Sequence, residues 1–178
     1  MRAIVSRYLL FAGFMLYMVA CQAAKHELTI NELEGGEYRS EWSDKGKIKL
    51  SDGMYKEKIA PDSATELVIK LSDRIAFGDL NGDGAEDSAV ILISDPGGSG
   101  TFYDLAAVID SRGQAKHVAS AFLGDRVKVE ELSIRSGKIV VKMLTHRSTE
   151  PMCCPSLNVE QAYGLQGDEL VRQLRGRR

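Results

Sequence analysis

Turn signals recur along this chain about every ten residues, which leaves room for strands and hairpins but not for long helices. They stand at Asp52-Gly53, Asp95-Pro96-Gly97-Gly98, Arg112-Gly113, Ser136-Gly137 and Gln166-Gly167-Asp168. Between them lie short apolar or alternating pieces at residues 47–50, 66–71, 74–77, 103–109, 127–129, 132–134, 138–144, 159–165 and 169–174. Residues 88–94, SAVILIS, form a nearly continuous apolar run fit for a buried strand. Residues 114–124 fit a strand or a helix. The expectation is a mainly β fold, an antiparallel sandwich or barrel with room for one short helix. Hydrophobic residues make up 44% and charged residues 27%, which excludes a disordered chain, and a net charge of −2 excludes a generally basic nucleic-acid binder.

The N-terminus reads as an address. Arg2 and Arg7 precede an uncharged apolar run, residues 8–20, too short for a comfortable membrane span and typical of a secretory signal. It ends at Met18-Val19-Ala20-Cys21. Small residues before a cysteine resemble the lipobox of bacterial lipoproteins, although Met18 stands where Leu is usual. The resemblance implies cleavage before Cys21 and diacylation of its thiol. An ordinary signal peptide, cut near Ala23 or Ala24, is the alternative. Three regions follow: a signal peptide over 1–20, a lipidated lead-in over 21–46, and a single β-rich domain over 47–178. The compartment is oxidising, so disulfides persist there. Gln22 is not the Asp that retains lipoproteins at the inner membrane in enteric bacteria. The expected address is therefore the periplasmic side of the outer membrane, or the outer face of the plasma membrane in a cell with one membrane.

Residues 77–87 read FGDLNGDGAED. Asp79, Asn81 and Asp83 fall at positions 1, 3 and 5 of a loop, with Gly84 at position 6 where a sharp turn favours positive φ. Ala85 offers its carbonyl, and Asp87 stands at position 9. Five or so oxygens with three formal negative charges suit a hard, irregularly coordinated cation, calcium before magnesium. Position 12 is Val90, not the bidentate Glu of an EF-hand. The motif resembles the calcium loops of FG-GAP and integrin-type β-propeller repeats. That resemblance implies Asp79, Asn81, Asp83 and Asp87 as side-chain ligands and Ala85 as a carbonyl ligand. An Asx/Gly turn without metal is the plain alternative. A structural clip suits the loop better than a sensor, since no helix pair flanks it to open.

Once Cys21 is lipidated, the remaining cysteines are the adjacent pair Cys153-Cys154, in Pro151-Met152-Cys153-Cys154-Pro155. A vicinal disulfide would stiffen the turn and close almost no loop. Met152, Cys153 and Cys154, with His146, also offer soft donors for Cu(I) or Zn. Thiol redox chemistry is a third reading, although the usual Cys-x-x-Cys spacing is absent.

Weaker signals are mostly structural. The glycine-rich stretch 95–101 lacks the Lys-Ser/Thr ending of a phosphate loop and reads as a hairpin loop. His26, His117 and His146 form no recognisable catalytic pattern. Trp42, with Tyr38 and Tyr55, fits core or rim packing or the lining of a sugar or peptide groove. Arg172, Arg175, Arg177 and Arg178 make a basic tail, either a solvated end or a contact for an anionic surface.

Over its mature length the chain resembles uncharacterised bacterial lipoproteins that combine the pieces at 75–87, 97–102, 121–127 and 151–155. No activity attaches to that resemblance. The expected function is a non-catalytic binding or envelope-structural role for a calcium-binding lipoprotein, anchored to the membrane through Cys21 and free of nucleic acid. Soft-metal or redox handling at residues 152–154 is the alternative, and a calcium-ordered hydrolase a more distant one.

Overall fold

The computed structural model describes residues 26–173. Cys21, the signal segment and the tail arginines at 175, 177 and 178 lie outside them. The fold is mainly β, as the turn spacing predicts. A five-stranded sheet runs in simple order through β3 (Met54–Lys58), β4 (Glu66–Gly78), β5 (Asp87–Asp95), β6 (Phe102–Asp110) and β7 (Ala115–Asp125). A four-stranded sheet follows as β8 (Lys128–Arg135), β9 (Lys138–Thr145), β10 (Leu157–Gln166) and β11 (Glu169–Gln173). Every pairing within the sheets is antiparallel between consecutive strands. The two sheets stack as a sandwich, and neither closes into a barrel.

The turns explain this meander. Arg112-Gly113 and Ser136-Gly137 both hold positive φ at two successive residues, the backbone of a type I′ turn. Its twist matches that of the flanking strands and so drives tight hairpins. The ambiguous stretch 114–124 falls within β7, where two register shifts against β6 blur the alternation. Pieces 66–71 and 74–77 are one long strand, β4, broken by an irregularity between Leu71 and Ile75.

The five-stranded sheet is buried on both faces. On the inner face Ala89, Ile91, Leu105, Ala107 and Ala119 meet Ile139, Val141, Met143 and Tyr163 of the other sheet. On the outer face Leu67, Ile69, Val90, Leu92, Ala106 and Val108 are covered by residues N-terminal to the sheet. That cover consists of Leu28, a short helix α1 (Ile30–Glu34), and the hairpin of β1 (Glu37–Arg39) and β2 (Lys47–Lys49). Leu28, Leu33 and Tyr38, within the stretch read as a lead-in, are buried core residues. The two-sided burial accounts for SAVILIS: Ala89 and Ile91 face one core, Val90 and Leu92 the other.

Candidate functional site

The loop joining β4 to β5 takes its shape from two features. Gly84 sits at φ +81°, the left-handed conformation expected of the sixth loop position. Upstream, Gly78 lies so close to β8 that an added Cβ would come within 2.8 Å of Ile134 Cγ2, which fixes where the loop leaves the sandwich. Within the loop, side-chain oxygens are capped by backbone amides. Asp79 Oδ1 accepts from Gly82 N at 2.6 Å and Oδ2 from Gly84 N at 2.9 Å. Asn81 Oδ1 accepts from Asp83 N at 2.8 Å, and Asp83 Oδ1 from Ala85 N at 2.7 Å. Asn81 Nδ2 donates to Asp83 Oδ2 at 2.9 Å. These are nested Asx turns.

Asp87 differs from its neighbours. It is fully buried at the start of β5. Its Oδ2 accepts the amides of Leu80 at 2.8 Å and Asn81 at 3.3 Å, and its Oδ1 accepts the amide of Asp110 at 3.0 Å. One carboxylate therefore ties the loop to the end of β6. Burial pushes its pKa above the usual aspartate range, the three amides pull against that, and the charge of Asp83 adds to the rise. Neither Asp79 nor Asp87 forms an ion pair with a basic side chain among the described residues.

The loop brings Asp79, Asn81, Asp83, Ala85 and Asp87 into one short segment. Among the described residues, however, no three His, Cys, Asp or Glu side chains converge as metal ligands. The donor chemistry fits a hard cation. All the candidate ligands are oxygens, and an oxygen that accepts one amide keeps a second lone pair.

Asp110 has no counterpart in the sequence reading, because nothing local distinguishes it from a strand-end aspartate. It is buried, and its Oδ2 lies 3.0 Å from His26 Nδ1 while Oδ1 accepts from Gly113 N at 2.6 Å. His26 Nε2 in turn lies 3.1 Å from Glu32 Oε1. The hydrogen bond to Asp110 holds the imidazole above its ordinary pKa, with both carboxylate charges adding to the effect. Beside it, Glu27 bridges to Glu86 in the loop. The N-terminal cover and the loop thus meet at one edge.

Cys153 and Cys154 are joined as a vicinal disulfide in an exposed turn, their Cα atoms 3.8 Å apart. A disulfide offers no thiolate to a soft metal. His146 directs Nε2 to the Arg126 carbonyl at 3.3 Å. Of the three aromatic residues weighed as a groove, Tyr38 is core and donates its hydroxyl to the Leu33 carbonyl at 2.9 Å. Tyr55 donates to Glu57 at 2.9 Å, and Trp42 alone lines a surface groove.

No protein-family model, curated protein or solved structure matches the chain. Among the described residues no helix is long and apolar enough to cross a membrane.

Proposed function

We propose that this is a non-catalytic binding protein of the bacterial envelope, anchored through acylated Cys21 and stabilised by calcium in the loop of residues 79–87. Asp87 carries the calcium reading. Among the described residues this fully buried carboxylate has no cationic partner, which is costly, and three further carboxylates, Asp79, Asp83 and Glu86, stand within the same nine-residue loop. A divalent cation held by Asp79, Asn81, Asp83 and the Ala85 carbonyl would offset that charge, with Asp87 fixing the loop behind it. The ion's role is structural: the loop joins β4 to β5, and Asp87 links it to β6.

The test is thermal melting of the mature chain in excess EDTA, then with calcium or magnesium restored. A hundredfold excess of ion over its Kd stabilises by about 2.7 kcal/mol, or roughly 5–10 °C for a domain of this size. The expected result is a fall of that order in EDTA, reversed by calcium and not by magnesium. An unchanged melting temperature would overturn the calcium reading. So would an equal loss in Asp79→Asn and wild type when EDTA is added.

A further inference from the structure

The outer face of the five-stranded sheet is not covered along its whole length. Where β1 runs into residues 40–46, a groove of about 740 Å3 remains between that segment and β5, β6 and β7, within the roughly 300–1,000 Å3 range of small-ligand sites. One side of it is aromatic. Trp42 stacks on Phe102 with ring centroids 4.0 Å apart and planes 17° apart. Phe122 lies 6.3 Å from Phe102 and is 58% exposed, the most exposed large apolar side chain among the described residues.

The charged groups of the groove are mostly acids. Asp104 is half-buried, and its Oδ2 accepts the Trp42 indole N–H at 3.0 Å. Glu41 and Asp44 line the same groove. None of these three carboxylates pairs with a basic side chain among the described residues. Arg39 also lines it, but its guanidinium is engaged by the Val118 carbonyl and by Asp168, 3.9 Å away. Burial raises the pKa of Asp104, the Trp42 hydrogen bond opposes the rise, and the nearby Glu41 charge reinforces it. Exposed aromatic surface beside uncompensated carboxylates is the chemistry that recognises an organic cation.

We infer that the groove binds an arginine or lysine side chain presented by a partner protein, with the cation against the aromatic surface and facing Asp104, Glu41 and Asp44. The inference rests on the binding role proposed above and names the ligand chemistry for it. A neutral sugar could use the aromatic surface but would leave the three carboxylates uncompensated.

Trp42 is the chain's single tryptophan, so tryptophan fluorescence, excited selectively over the six tyrosines, reports on this groove. The mature chain is titrated with a short Gly-Arg-Arg-Gly peptide, the same peptide with citrulline replacing arginine, and chitotriose. The expected result is a saturable, salt-sensitive fluorescence change with the arginine peptide only. Asp104→Asn, which keeps an acceptor for the indole N–H, should weaken binding about tenfold, and the surface change Phe122→Ala about threefold. Equal responses to arginine and citrulline peptides would overturn the inference. So would saturation by chitotriose alone, or a response that both variants retain in full. No response to any probe, with calcium-dependent melting intact, would reject this ligand class and leave the calcium-stabilised reading standing.

Discussion

On its inner face the five-stranded sheet meets a second sheet; on its outer face it meets one short helix, a two-stranded hairpin and the residues before them. The inner contact is made by aliphatic side chains on regular strands, with Ile91 and Leu105 opposite Ile139 and Val141, all fully buried. The outer contact buries comparable residues, but the covering elements are too short to be stable alone. They are held by specific polar contacts. Thr29 and Glu32 form a capping box at the start of α1. The Arg39 amide donates to His117 Nδ1 at 3.1 Å, joining β1 to β7. His26 bridges Glu32 to Asp110. Where covering elements are regular, apolar burial suffices; where they are short, individual hydrogen bonds set the register.

That contrast can be broken most strongly in the cores. Ile91→Ala should cost about 2–5 kcal/mol, and Leu33→Ala, on the buried side of the cover, a loss in the same range. If the two faces form one cooperative unit, both variants give a single urea transition with unchanged slope. A second, earlier transition in Leu33→Ala alone would make the cover a separate unfolding unit.

A smaller effect is expected at the cap. Thr29→Ala removes the acceptor for the Glu32 amide and should cost about 1 kcal/mol, with hydrogen-exchange protection falling in residues 30–34 and not in β9. Equal loss of protection in both places would erase the distinction between the faces.

The smallest effect is pH-dependent, and its sign differs at the two ends of the cover. Burial, with the Arg39 charge adding to it, lowers His117 from 6.5 to about 4. The unfolded chain therefore binds more protons there between those values, and stability falls as pH drops from about 6.5 toward 4. His26 is raised, so its contribution is complete below about 6.5 and fades as pH climbs through its folded value. Melting temperatures against pH should show His117→Gln flattening the acid limb and His26→Gln the alkaline one. A profile identical to wild type in both would dismiss these histidines as clasps.

The loop and the groove were legible to different degrees. Asp79, Asn81, Asp83, Gly84 and Asp87 stand within nine residues, so their spacing is visible in the sequence and Gly84 adopts the expected backbone. The caps on Asp79, Asn81 and Asp83 are equally local, but the role of Asp87 as a buried anchor depends on Asp110, which is 23 residues away. The groove was hidden because Phe102, Asp104 and Phe122 read as ordinary strand residues. Only pairing β6 with β7, and stacking Trp42 on Phe102, brings them together.

By itself the sequence determined what is local. Turn dipeptides set the hairpins, alternation marked the strands, and the nearly continuous apolar run 88–94 marked a buried strand. Those signals lie within a few residues of one another, where backbone sterics and side-chain period act directly. Which elements would cover the second face of the sheet was decided only by the tertiary structure. The apolar residues of the cover, Leu28, Leu33, Tyr38, Ile48 and Leu50, are spaced irregularly in sequence. They become one surface only when a capped helical turn, a hairpin and a histidine on β7 fix them against strands many residues away.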